Sequence, residues 1–482
     1  MGDADARRVL VEHLDFVLTV DDEDSVLRDA TIAVEDGRIT ALGPSSDVTS
    51  ALAREPTDVV LDGRRKGLVP GLIDAHVHLS ETLSRGVFPD DVSTTSWVFD
   101  WAKPFYAHVS PEDELVSALL GAAEMLRAGT TCFLDMGSQH DPGITARAAA
   151  RAGIRGIVGR HAADRRPEVI PPHWPRGMLE HHFFPDAETA LATLERCVRD
   201  WDGFDDGRIR CWVNIEGKEP CSAELHVGAR ALAERLGVGT TYHLASSLEE
   251  ARASARRHGA WPVTRIAQLG GLGPNLVLAH AVALRDEEVA LLAEHGAHVA
   301  FCPSTSLKLA KGATRIGKYP ELMRAGVIVV LGTDGVSAGG NLNLMRQIHL
   351  AAGLFKDARV DPQVGGARRA LRMATADCAR ALGLSHEIGT LEVGKRGDFV
   401  VFDLDHPEWT PFGDPYQALV WSATPASIAE TWVDGKAVYR SGRVATVDEA
   451  ELHREARERA RAIVRRAGLD KSEVPVTTEL YG

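Results

Sequence analysis

Gly67-Leu-Val-Pro-Gly-Leu-Ile-Asp-Ala-His-Val-His-Leu-Ser80 is the stretch from which the fold can be read. An apolar run, Leu68 to Ile73, ends in His76-Val77-His78. Alternate side chains of a strand share a face, so His76 and His78 point the same way, about 6–7 Å apart along the strand. Two imidazoles at that spacing can converge on one metal ion through bonds of roughly 2.1 Å. Pro70-Gly71 marks a sharp turn into a buried sheet. Alone, H-x-H is more often a pair of strand histidines with no metal, so the rest of the sequence decides.

Downstream, short apolar strands alternate with helical patterns, the texture of repeated βα units around a parallel sheet. Helix Pro111–Ala128 has Pro near its start and Gly129 just past its end. Strands are expected at Thr130–Leu134, Ile157–Arg160, Ile209–Ile215, Gly239–Leu244, Leu276–His280, His298–Phe301 and Val327–Leu331. Helices are expected at Ile144–Ala152, Ala187–Asp200, Ala223–Leu236, Asp286–His295 and Tyr319–Ala325. With the His76 strand first, this predicts an α/β fold with a (β/α)8 TIM barrel over 67–388, catalytic groups at the C-terminal strand ends. The segment from Arg160 to Asp186 is long and Pro-rich, and carries His161, His173, His181 and His182. A loop of that length reads equally as a substrate cover or a surface insertion.

Both ends of the protein have β texture. Arg8 to Val20 and Ala30 to Leu42 alternate apolar and polar residues. Asp36-Gly37 and Asp434-Gly435 carry the same hairpin signal. Residues 1–66 and 389–448 are therefore expected to join into one discontinuous β-sandwich domain, with a C-terminal helix and tail over 449–482. The 482 residues carry a net charge of −14, which argues against nucleic acid or an anionic membrane as partner. Six cysteines without C-x-x-C spacing suggest buried thiols rather than a disulfide framework. The acidic start, Met1 to Arg8, has no apolar leader, and a cytoplasmic protein is the default expectation.

Three further strand ends place a polar residue where a barrel puts its active site: His243, His280 and, in Leu331-Gly332-Thr333-Asp334-Gly335, Asp334. Three histidines with one carboxylate suit Zn2+ or a similar divalent ion. Gly71-Leu-Ile-Asp-Ala-His-Val-His78, His243, His280, Cys302-Pro-Ser-Thr-Ser-Leu-Lys-Leu309 and Leu331-Gly-Thr-Asp-Gly335 together resemble the amidohydrolase superfamily. The similar branch is the mononuclear one of chlorotriazine hydrolases, guanine deaminase and adenosylhomocysteine deaminase-like enzymes, over about residues 10–445. The resemblance implies one divalent metal ion, with Zn2+ as first choice and Fe2+, Co2+ or Mn2+ as alternatives. It implies His76, His78, His243 and Asp334 as ligands, Asp334 also taking a proton from the hydrolytic water. His280 would hold the substrate or that water.

Two positions depart from the branch. Its His-x-x-Glu after the fifth strand reads His243-Leu-Ala-Ser246 here, and serine is no acid at neutral pH. Its substrate-contacting histidine after the fourth strand is replaced in Ile215-Glu216-Gly217-Lys218. Deaminating a ring requires protonating it, whereas an amide, urea or carbamate offers its carbonyl to the metal. The sequence thus favours hydrolysis of an acyclic C–N bond. The alternative is deamination or dechlorination of a purine, pterin or triazine, and a non-catalytic scaffold barrel is a distant third. Glu216, Ser246, His161 and His280 are the candidate substrate contacts, with a structural pairing of Glu216 to Lys218 or Arg210 as the plainer reading. Glu81, Arg85 and Trp97 either line the pocket or form a loop salt bridge and core. Lys308 reads as structural. The expected partner is a small-molecule substrate, with no nucleic acid or membrane, in a homo-oligomer.

Overall fold

The computed structural model describes residues 8–217 and 219–470; residues 1–7, Lys218 and 471–482 lie outside the described residues, as do the side chains of Arg176 and His181. The possible Lys218 partner of Glu216 is among those left outside.

The protein opens with β1 (Arg8–Leu18), β2 (Val26–Glu35), β3 (Arg38–Pro44), β4 (Val59–Asp62) and β5 (Lys66–Pro70). It continues through β6 (Leu72–Val77), β7 (Thr130–Asp135), β8 (Arg155–Gly159), β9 (Ile209–Asn214), β10 (Thr240–Leu244), β11 (Leu276–His280), β12 (His298–Phe301) and β13 (Val329–Leu331). It returns to β structure in β14 (Phe399–Asp403), β15 (Ile428–Val433), β16 (Lys436–Arg440) and β17 (Arg443–Val444).

β6 to β13 are eight strands paired in sequence order, every pair parallel. Just beyond the last strand, the Asp334 amide donates to the carbonyl of His76, near the end of the first, at 2.8 Å. This is the expected (β/α)8 barrel. The other nine strands form one mixed sheet from both ends of the sequence, in the order β17-β16-β15-β14-β5-β1-β2-β3, with β4 also on β1. β5 lies in that sheet and turns at Gly71 straight into β6. A Cβ at Gly71 would collide with the Thr131 hydroxyl, so only glycine lets the corner sit against β7.

Helices Ala223–Leu236 and Asp286–His295 and strands Leu276–His280 and His298–Phe301 have the expected limits, and the other expected elements shift by one or two residues. The long Arg160–Asp186 segment contains a short helix, Arg176–His182, that its proline-rich sequence hides. Four helices, Val336–Gly339, Leu344–Arg359, Ala367–Met373 and Ala376–Ala381, follow the eighth strand. The last closes the barrel floor: Cys378, Leu382, Leu384 and Ile388 pack on Ile73, Leu134, Val277, Ala300 and Val330. All six cysteines are free and buried. Among the described residues no helix is long and apolar enough to cross a membrane.

Buried Arg155 on β8 clamps the terminal sheet to the barrel, gripping Asp398 at 3.0 Å and Asp434 at 2.6 Å.

Candidate active site and metal centre

The C-terminal ends of β6, β10, β11 and β13 deliver His76, His78, His243, His280 and Asp334 to one place. The His76 ring centroid lies 5.0, 5.1 and 5.4 Å from those of His78, His243 and His280. Oδ1 of Asp334 is 3.6 Å from Nε2 of His76 and 3.4 Å from Nε2 of His78. Its Oδ2 is 3.7 Å from Nε2 of His280. His280 and Asp334 reach these positions with φ of 76° and 62°. Left-handed backbone at non-glycine residues costs on the order of 1–3 kcal/mol each and gathers where function requires it.

Two of the rings are oriented from behind. Nδ1 of His78 meets Glu81 at 3.2 Å, and Nδ1 of His243 donates to the Glu216 carbonyl at 3.1 Å. That pattern places the Nδ1 proton outward and leaves the Nε2 lone pairs facing inward, as outer hydrogen bonds do for metal-binding imidazoles. The strand-four loop approaches this closely because Gly217, at φ 80°, has no side chain; a Cβ there would collide with the His243 carbonyl. His76 is fully buried, and neither of its ring nitrogens has a hydrogen-bond partner among the described residues.

The electrostatics suit a cation. Burial keeps the His76 imidazole below its usual pKa, hence neutral. Burial alone would raise Asp334, but the facing imidazoles outweigh it and hold the carboxylate well below its ordinary range. His78 is disfavoured as a cation by burial, yet Glu81 and Asp334 raise it to about 9. The nitrogen and oxygen atoms of His76, His78 and His243, and of His76, His280 and Asp334, form two overlapping sets, each within 4.8 Å. This donor set, with an unsatisfied buried imidazole at its centre, fits a single divalent ion.

The sequence matches the amidohydrolase family model over residues 68–438. It belongs to the amidohydrolase family. It is 33% identical over 452 residues to a 5'-deoxyadenosine deaminase of Methanosarcina acetivorans, covering 94% of this protein and 98% of that one. A 5-methylthioadenosine/S-adenosylhomocysteine deaminase of Moorella thermoacetica is 33% identical, with 90% and 95% covered. The structure of an adenosine deaminase from Xanthomonas campestris with bound zinc aligns with a TM-score of 0.84 at 29% identity, over 95% and 98% of the two proteins. This amidohydrolase is a metal-dependent enzyme hydrolysing C–N bonds.

The remaining candidates fall into two groups. Ser246 turns away to Glu250: its hydroxyl donates to Oε2 at 2.6 Å, and the amides of Ser246 and Ala245 reach the same carboxylate at 2.9 and 2.7 Å. Glu216 belongs to a buried cluster, accepting from Lys103 at 2.7 Å and contacting Nε2 of His182 at 2.7 Å; Lys103 and His182 also touch. Despite burial, these neighbours hold Glu216 well below the usual carboxylate range. Its carboxylate therefore has no proton to give at neutral pH. The pairing with Arg210 does not form, because Arg210 binds Glu387 at 3.1 Å. His161 stands between cluster and metal centre, its ring 5.9 Å from that of His182 and 6.3 Å from that of His78.

Arg85 pairs with Glu124, Trp97 packs on Phe88, and Lys308 binds the Ser337 carbonyl, all structural roles. Two buried lysines, Lys103 and Lys311, join the neighbourhood of the site without having been expected there. Nothing in the sequence marks Lys103. Lys311 follows the Leu307-Lys-Leu309 run closely, and a second lysine in so apolar a segment is the available signal.

Proposed function

We propose that this amidohydrolase uses one zinc ion, held by His76, His78, His243 and Asp334, to hydrolyse an acyclic amide, urea or carbamate-like bond of a small molecule. A divalent ion in this donor set lowers the pKa of a bound water to about 7 and polarises a carbonyl. Asp334, beside both the donor set and His280, accepts the proton that water loses and passes it to the departing nitrogen. His280 orients the substrate or the water. His161 and the Glu216 cluster stand next to the donor set.

The observation that carries the substrate choice is the Ser246–Glu250 hydrogen bond. Ring deamination needs a proton delivered to the ring, and the residue standing where the branch has its acid commits its hydroxyl to Glu250. A carbonyl substrate needs no such donor.

A second reading, deamination of an adenine nucleoside, is favoured by the two deaminases that are 33% identical over nearly the full length. The test is a panel assayed with the zinc-loaded enzyme, scoring ammonia against amine release. Turnover of ureas, carbamates or anilides with little action on 5'-deoxyadenosine supports the first reading. Stoichiometric ammonia from 5'-deoxyadenosine with no action on the acyclic compounds replaces it with the second.

A further inference from the structure

Lysine is almost never fully buried unless something holds its charge. Among the described residues two lysines are buried, Lys103 and Lys311, and both lie close to the active site. Lys103 is accounted for by Glu216. Lys311 faces the centre itself: its ammonium lies 3.3 Å from Nε2 of His280, whose same nitrogen is 3.7 Å from Oδ2 of Asp334.

The position is built. Lys311 ends the segment that follows helix Pro303–Lys308, and its own amide donates to the Ser306 carbonyl at 3.0 Å. The Ser306 hydroxyl in turn accepts from the Ala313 amide at 3.1 Å, fixing the turn from the other side. His280 is anchored through its carbonyl, which accepts from the Tyr319 hydroxyl at 2.6 Å. An ammonium and an imidazole are thus held rigidly side by side at the rim of the metal centre, on the side of the proton-accepting carboxylate. Precision of this sort is what a hydrogen-bonding site for a developing charge requires.

We propose that Lys311 is a catalytic residue whose ammonium, oriented by a hydrogen bond to Nε2 of His280, binds the substrate's carbonyl oxygen and stabilises the negative charge that develops on it. The inference rests on the acyclic carbonyl reading above. The water oxygen bonds to the carbonyl carbon, one water proton passes to Asp334, and the carbonyl π pair moves onto the oxygen beside Lys311. When that pair returns, the C–N bond breaks and the proton on Asp334 goes to the departing nitrogen, giving acid and amine. Lys311 donates hydrogen bonds throughout and neither gains nor loses a proton.

The test compares the zinc-loaded parent with Lys311→Met and Lys311→Arg. For an acyclic substrate, K311M is expected to lower kcat about 100- to 1000-fold, the usual loss of one oxyanion donor. KM should stay within threefold, zinc content and unfolding midpoint should be unchanged, and K311R should recover part of the rate. Methylphosphonate, a small tetrahedral anion, serves as a probe independent of turnover: calorimetry should show at least tenfold weaker binding to K311M. A kcat within threefold of the parent with unchanged methylphosphonate affinity overturns the proposal. So does loss of zinc from both variants along with activity, which makes Lys311 part of the scaffold of the centre. If the parent acts only on 5'-deoxyadenosine, the acyclic reading falls, and the methylphosphonate arm still decides whether Lys311 binds an oxyanion.

Discussion

The Nε2 atoms of His78 and His243 face each other at 3.3 Å, in rings that lie within 10° of parallel. With both Nδ1 atoms turned outward to Glu81 and the Glu216 carbonyl, the two Nε2 lone pairs point at shared space. At that distance the pair shares either a proton, as the raised His78 pKa allows, or a cation that displaces it. Removing one of them should therefore empty the centre rather than merely weaken a contact. His243→Ala, loaded with zinc and dialysed, is expected to retain well under half of the parent's metal by elemental analysis, with activity lost in proportion. Chelation of the parent should abolish activity, and added zinc should restore it. Full metal retention by the variant would contradict the ligand assignment.

Glu216 answers two neighbours at once, Lys103 and His182, in a place nearly closed to water. Removing one partner of a buried ion pair leaves the other charged and unsolvated, a loss on the order of 3–5 kcal/mol. Glu216→Gln should lower the unfolding free energy from denaturant titration by about that much. The double variant Lys103→Met/Glu216→Leu, which removes both charges, should recover most of the loss. Equal destabilisation of single and double variants would show that packing, not charge, is what the cluster supplies.

The metal centre is legible in the sequence because each of its members sits at the end of an apolar strand, where a period-two pattern and a barrel's geometry say which way the residue points. The floor helix Ala376–Ala381 and the cluster around Glu216 are not. Glu216 meets Lys103 across 113 positions of sequence, and Lys103 opens the short helix Lys103–Tyr106, one of a run of brief helical turns after β6 whose path no periodicity records. His182 stands in the same position, at the end of a seven-residue helix inside a loop of prolines. Ser246 reads in sequence as a missing acid, and its partner Glu250 as an ordinary acid at a helix start. Helix Leu248–His258 does begin there, but the Glu250 side group folds back over the loop to Ser246, which sequence spacing does not specify.

Arg155 carries the coupling between barrel and terminal sheet. Burial works against its charge, but Asp398 and Asp434 outweigh that and raise its pKa further. Arg155→Met leaves the two carboxylates facing each other without their counter-ion. The expected result is a loss on the order of 3–5 kcal/mol together with earlier exchange of amides in β14 and β15 than in β6 to β8. Hydrogen exchange read by mass spectrometry distinguishes this from uniform loosening, in which both sets of strands would gain exchange together.

Glu114, in helix Pro111–Arg127, gives the enzyme a pH dependence with a definite sign. Burial, reinforced by Asp135, pushes its carboxyl up to about 8, so the folded protein keeps a proton that the unfolded state releases near its ordinary value of 4.5. Between those two values the native state binds more protons than the unfolded state, and stability falls as pH rises. The contribution is fully present below about pH 4.5 and is lost as pH climbs through about 8. Glu114→Gln is uncharged at every pH and removes this slope. Denaturant midpoints at pH 5 and pH 8 should therefore separate less in the variant than in the parent, by an amount on the order of a few kcal/mol once converted. A parent and variant with the same difference between the two pH values would mean that Glu114 titrates alike in the folded and unfolded states.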